Sequence, residues 1–332
     1  MVRQSDQTRG GERAPRGEAT APTRMAKSSW WGALRRTFRE FSADNVSDLA
    51  AALTYYAILS LFPALLVLVS LLGLAGPDAT RTLTENASAL LPPDVAGLVN
   101  TAIENLQGSQ GVAGLVGIVS LAVALWSASG YIAAFMRASN VVYDVPEGRP
   151  IWKTLPIRVG VTLMLVVLIT VTVLAVAVSG GVAERVGQLV GLGPTAVTVW
   201  NIAKWPVLLL LMAFMIALLY WASPNAKRGF RWVSPGSLLA VLIWLVASLA
   251  FAFYVANFAS YSKTYGSMAT VVIFLVWLWI SNIAILLGEE FNAEIERGRA
   301  EEAGQPPEEE PYVEMRDRPK GKKGGKPRRE HG

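Results

Sequence analysis

An all-α, polytopic membrane fold with six spanning helices is what this sequence predicts, and three observations carry it. Six stretches, 49–77, 105–136, 159–183, 205–226, 232–262 and 264–288, contain no Asp, Glu, Lys or Arg. Each exceeds the roughly 20 apolar residues that a helix needs to cross a hydrocarbon core about 30 Å thick. Taken in alternation, the loops and tails on one side hold 26 Lys and Arg and those on the other hold 4, so the excess of basic residues places both termini in the cytoplasm. Seven of the eleven Trp (Trp30, Trp31, Trp152, Trp200, Trp205, Trp221, Trp232) fall at the expected span edges, where an amphipathic ring suits the headgroup layer.

Along the chain, residues 1–28 are rich in Arg, Gly, Pro, Ser and Thr and bury too little apolar surface to offset ordering entropy, which predicts disorder. From Ser29 to about Ser47, Trp30, Leu34, Phe38 and Phe41 recur at helical spacing while Arg35, Arg36 and Arg39 fall elsewhere on the turn. That pattern predicts an amphipathic helix lying along the cytoplasmic interface or packed by the same face on the bundle. The membrane domain is expected over 48–298. Its longest external connection, Gly76 to Gly111, carries Val95, Leu98, Val99, Ala102, Ile103 and Leu106 at helical spacing and predicts a helical external hairpin. The glycine-punctuated connection from Gly180 to Pro206 predicts a short interfacial turn, and Lys263 alone between the last two spans predicts a tight one. Gly117, Ser120, Ala124 and Ala128 form a small-residue packing stripe in span two. From Arg299 to 332 an acidic block precedes a basic one, which predicts a charged, disordered cytoplasmic tail.

Several classes of chemistry are removed by composition. The chain has no cysteine and one histidine, His331 near the end of that tail, so thiol chemistry, a His-based metal cluster and a catalytic triad have no residues to build them. No Gly-x-x-x-x-Gly-Lys-Ser/Thr loop is present, and no cofactor is implied. The first apolar run starts at Leu49 after a long polar lead, so no cleavable signal pattern is read. The net charge of +5 resides in the flanks and predicts membrane lipids as partners, with no specific nucleic acid; homo-oligomers and envelope protein partners stay open.

Polar residues inside the spans are the remaining clue, because they are costly in hydrocarbon and face the interior. Span one carries Thr54, Tyr56 and Ser60 just before Pro63, a proline expected to kink the helix. Span six ends in Asn282, Glu289, Asn292 and Glu296 at spacings of seven, three and four, a polar stripe running from membrane depth into the cytoplasm. Thr54, Tyr56, Ser60, Pro63, Asn282 and Glu289 are the candidate lining of a cavity, with a packed interface as the alternative. Glu289 and Glu290 are expected within reach of the basic loop 227–231.

The same residues carry a resemblance. Asp44 to Pro63 (DNVSDLAAALTYYAILSLFP), Ser223 to Gly236 with its Ser-Pro and basic turn, and Tyr265 to Arg297 (YGSMATVVIFLVWLWISNIAILLGEEFNAEIER) are similar to the YihY/BrkB family of bacterial inner-membrane proteins, over roughly 30–298. The resemblance implies a six-helix integral membrane protein. Some family members carry a ribonuclease BN label, others a link to virulence or serum resistance, and lipid or lipopolysaccharide export has been suggested for relatives. The zinc-dependent nuclease behind the ribonuclease label needs several His and Asp ligands in a soluble sheet sandwich, and this chain offers one terminal His and no candidate sheet. The expectation is a permease-like protein handling an amphipathic or lipid envelope substrate, with a membrane scaffold as the alternative.

Overall fold

The computed structural model describes residues 27–74, 113–177, 183, 193–257, 267–306 and 311–319. The expected external hairpin over 76–111, the turn at Lys263 and most of both tails lie outside the described residues, as do the side chains of Gly117 and Ser120. Among the described residues the regular structure is helical, apart from one isolated antiparallel bridge between Ala226 and Met315.

Helix α1, Lys27–Ala43, ends at Asp44 and Asn45. Asn45 takes a φ of 51°, a left-handed conformation that Asn tolerates better than most residues. Its carbonyl accepts from the N–H groups of Asp48 and Leu49 at 2.9 and 3.1 Å, so the chain re-enters a helix at once. That helix, α2, runs Val46–Leu74 and continues through Pro63.

Span two is not the continuous helix that its charge-free run predicts. It consists of α3, Ala113–Ala128, and α4, Gly130–Val142, joined at Ser129. In an unbroken helix the Tyr131 N–H would donate to the Ser127 carbonyl, four residues back. Instead it donates to Ser60 Oγ of α2 at 3.1 Å, and that hydroxyl donates to the Ser127 carbonyl at 3.4 Å. A side chain inserted into the helical ladder is one of the few causes of a sharp bend, and such a break survives inside a membrane protein only where protein groups satisfy the freed backbone.

The remaining helices are α5, Ile151–Ala177, α6, Pro194–Ala222, α7, Pro235–Asn257, and α8, Ser267–Glu302. Part of the connection read as an interfacial turn, from Pro194 to Pro206, is the first part of α6, because Pro194 suits the first helical position and the buried Lys204 bonds Asn201 Oδ1 at 3.1 Å. α7 opens on a reciprocal cap in which the Ser234 and Ser237 hydroxyls each accept the other's N–H at 3.0 Å, meeting orphan helix donors. α8 passes Arg299, where an unstructured tail was expected to begin. Its charges find partners: Arg36 of α1 pairs with Glu294, and Arg299 bonds Glu296 at 2.8 Å.

α8 is the centre of the bundle, contacted by α1, α2, α4 and α7, while α6 joins α5 to α7. α1 divides its aromatic residues: Trp30 and Leu34 pack on Phe291 and Ile295 of α8, Phe41 reaches the main core, and Phe38 stays 62 % exposed. Pro311–Pro319 lies across the same end, where Asn225 donates to the Asp317 carbonyl at 2.8 Å and Lys227 N–H to the Glu314 carbonyl at 2.7 Å.

Burial is inverted relative to a water-soluble bundle. Leu249, Phe253, Val123 and Ile202 are exposed, while Asn282, Glu289, Glu290 and Asn292 are buried. Apolar side chains facing outward are stable only against lipid. Four helices, Ile151–Val173, Thr195–Ala222, Pro235–Ala256 and Val271–Glu302, are long and apolar enough to cross a membrane, and Val46–Leu61 is a shorter apolar helix. The molecule is an all-helical membrane protein.

Candidate functional site

The polar stripe read from span six faces inward on α8. At its membrane end Asn282 joins three helices. Its Nδ2 donates to Thr54 Oγ1 of α2 at 3.1 Å, and its Oδ1 accepts from the Tyr131 hydroxyl of α4 at 2.9 Å. Thr54 donates in turn to the Ala50 carbonyl at 2.8 Å, so each polar atom of this junction that is drawn inward has a partner. Ser60 holds the Ser129 break, one step further along α2. Tyr56 lies beside Ser60 against Gly130, with the Arg137 guanidinium 5.1 Å from its ring centre. Pro63 is half-buried in α2.

Below Asn282 the interior becomes aromatic. Tyr131, Phe135 and Tyr220 stack with ring centres 6.3 and 6.4 Å apart, and the Tyr220 hydroxyl donates to the Ile285 carbonyl of α8. The next stripe position is Glu289. It is fully buried, and among the described residues neither carboxylate oxygen has a hydrogen-bond partner. The Ser139 hydroxyl of α4 faces it without closing a hydrogen bond, and Arg228 is the cation that acts on it. Arg228 itself is held by the Tyr143 hydroxyl, with its guanidinium 4.8 Å over the Tyr143 ring. Burial pushes the Tyr143 hydroxyl well above the ordinary phenol range, against the pull of Arg228, so it meets the guanidinium as a neutral phenol.

Glu290 diverges from its neighbour. It turns toward Glu40, Asp44 and Glu294, which share a small cavity with Arg297, and away from the basic loop. The next stripe residue, Asn292, closes this end of the column: it accepts from the Gly236 N–H at 3.0 Å and donates to Ser234 Oγ at 2.9 Å. Here α7 and α8 meet backbone to backbone. A Cβ on Gly236 would collide with the Gly288 carbonyl, and one on Gly288 with the Gly236 carbonyl.

The structure thus brings Thr54, Ser60 and Asn282 into one junction through Tyr131 and sets Glu289 apart, beyond the aromatic stack. Sequence reasoning missed Tyr131, Tyr143 and Tyr220. Their signal was faint, because a Tyr near a span edge also reads as an interfacial anchor. It also missed Arg149, which is buried and donates to the carbonyls of Ala222, Ser223 and Pro224 at the end of α6 at 3.4, 2.7 and 3.3 Å.

What this geometry offers chemically is a buried carboxyl at Glu289 without hydrogen bonds among the described residues, with the unmet Ser139 hydroxyl facing it and one unmet oxygen on the neighbouring Glu290. A carboxyl group buried without hydrogen bonds is costly to the fold.

The chain is 30 % identical over 284 residues to a Bacillus subtilis protein named ribonuclease-like protein YfkH, covering 84 % of this chain and 98 % of that one. It is 26 % identical over 268 residues to a UPF0761 membrane protein of Aggregatibacter aphrophilus, covering 80 % and 92 %. A UPF0761 membrane protein of Haemophilus influenzae is 27 % identical over 257 residues, covering 76 % and 91 %. No solved structure matches the chain. The family model described as virulence factor BrkB matches residues 37–313, a range that takes in the polar stripe, the Ser129 break and the loops around Arg228, and this chain belongs to that family.

Proposed function

We propose that this protein is a six-span permease of the bacterial inner membrane, with both termini in the cytoplasm, that handles an amphipathic or lipid substrate of the envelope. α2 and the α3–α4 pair supply the first two spans in this reading, α5 to α8 the other four. The basic split of 26 to 4 supports the orientation. The observation that carries the functional reading is Glu289, buried and without hydrogen bonds at the foot of a polar column that crosses from α2 and α4 to α8. A passive scaffold needs an outer surface and gains nothing from an uncompensated interior carboxylate; a protein that changes state around a moving substrate or ion uses one.

Complementation of a deletion strain tests this. Glu289→Gln conserves shape and removes the charge, so it is expected to accumulate to normal levels, to melt in detergent at or above the wild-type temperature, and to fail in restoring the envelope phenotype. Full complementation at normal protein levels would sink the permease reading and leave a membrane scaffold for envelope proteins.

The ribonuclease part of one relative's name is not extended to this chain. Purified protein supplied with zinc, magnesium or manganese is expected not to process tRNA precursors above a mock preparation. What supports this is the ligand set: one histidine, at 331, and no cysteine, against the several His and Asp ligands that such a zinc site requires. Metal-dependent cleavage lost on changing Asp44, Asp48, Glu289 or Glu290 would overturn it.

A further inference from the structure

Between α6, α8 and the loop after Pro224 lies a cavity of about 210 Å³ whose charged lining is Lys227, Arg228, Arg231 and Arg299 against the single carboxylate of Glu296. Arg299 is 8 % exposed, and among the described residues only its Nη1 is used, on Glu296 at 2.8 Å, while its buried Nε and Nη2 have no hydrogen-bond partner there. Two unmet guanidinium donors in a fixed plane are the complement of an oxyanion, which accepts them as a bidentate pair. Arg231 is held by no ion pair among the described residues. Burial, then Arg299 and Arg228, hold its guanidinium below the ordinary value, with Glu296 opposing; Lys227 is already paired with Glu314 at 2.8 Å, so the unmet positive donors lie with Arg231 and with Nε and Nη2 of Arg299.

The volume narrows the occupant. Small-molecule pockets commonly run from about 300 to 1,000 Å³, so this one fits a phosphate-sized group better than a whole nucleotide. Its rim supplies the rest. Trp221 lines the cavity and meets Phe230 edge-on at 5.3 Å, and Phe230 meets Trp232, 72 % exposed, at 5.4 Å. Such an aromatic cluster sits at headgroup depth. Phe214 and Leu210 continue the Trp221 face of α6 upward at spacings of seven and four, with Leu210 55 % exposed, an apolar track for an acyl chain.

We propose that this cavity binds the phosphate group of an anionic phospholipid from the cytoplasmic leaflet. The proposal rests on the permease reading for its biological use, since it names the headgroup chemistry of the substrate, but binding at equilibrium is a separate measurement from transport. Arg228 links the two places, lining the cavity and facing Glu289.

The test is ligand-induced thermal stabilisation of the full chain in an uncharged detergent, titrated with dihexanoylphosphatidylglycerol, dihexanoylphosphatidylcholine and inorganic phosphate. Phosphatidylglycerol is expected to bind at least about tenfold more tightly than either other probe, and Arg231→Gln to weaken it by about tenfold, the effect of one charged hydrogen bond. Arg231 takes part in no ion pair among the described residues, so that variant should fold. Arg299→Lys keeps the charge, removes the planar donors and is expected to weaken binding similarly. Equal binding of inorganic phosphate would overturn the lipid source and assign the cavity to soluble phosphate compounds. No binding of phosphatidylglycerol, or binding indifferent to both substitutions, would overturn the site. Retained phosphatidylglycerol binding in Glu289→Gln alongside a lost phenotype would separate failure of transport from failure of this site.

Discussion

Gly288→Ala is the smallest change expected to damage the bundle, because the atom in the way of the new methyl group is the Gly236 carbonyl oxygen, which no rotamer change can move. A loss of about 1–3 kcal/mol is expected, read as a fall in melting temperature in detergent, and Gly236→Ala should match it. Asn282 offers a milder case. Asn282→Leu removes bonds to Thr54 and Tyr131 and should cost about 0.6–1.7 kcal/mol, the scale of interhelical hydrogen bonds in membranes; a double-mutant cycle with Tyr131→Phe should show coupling. That α8 would turn Asn282, Glu289 and Asn292 to one side was legible, since spacings of seven and three follow from helical geometry alone. Their partners were not. Tyr131 and Arg228 reach them from helices and loops whose packing angle no local pattern encodes.

At the scale of the element, the charge-free runs foretold where helices would lie but not where one would break. The cause of the Ser129 break is on α2, 71 residues before Tyr131, and span two itself carries no signal beyond Gly130. Ser60→Ala is expected to restore the Tyr131-to-Ser127 ladder, seen as slower hydrogen exchange at the Tyr131 amide; unchanged exchange would assign the break to Gly130 instead. The loop from Tyr143 to Pro150 makes a second element-scale prediction. Burial tends to raise the Glu147 carboxyl, but hydrogen bonds from the Arg149 side chain and backbone and from Asn140 outweigh it and hold the group below its ordinary 4.5. A lowered folded-state value gives stability that is present above the ordinary carboxylate range and is lost as pH falls through the lowered one. Melting temperature should therefore fall more steeply below about pH 4.5 in the wild type than in Glu147→Gln, provided the comparison is made at one ionic strength. Parallel curves for the two would show that Glu147 carries none of the acid sensitivity.

For the whole molecule, orientation is the most direct prediction. In this cysteine-free chain, cysteines introduced at Ser88 and Ser109 should react with an impermeant thiol reagent in intact cells, and those at Ser28 and Gly325 should not, following the 26 to 4 division of basic residues; the reverse pattern would invert the topology. The Gly236–Gly288 contact also bears on motion. With the two backbones in direct contact at Gly236 and Gly288, Asn292 bonded to the α7 cap and Trp244 bonded to Ser281 further along, α7 and α8 are locked at the glycine end and form a single strut, to which α1 is riveted through Arg36 and Glu294. Any conformational cycle then has to open along the other boundary of α8, the seam it shares with α2, α4 and α6 through Asn282 and Tyr220. Glu289 lies in that seam, and spin labels on α7 and α8 should keep one separation in every state while labels on α4 and α8 change theirs.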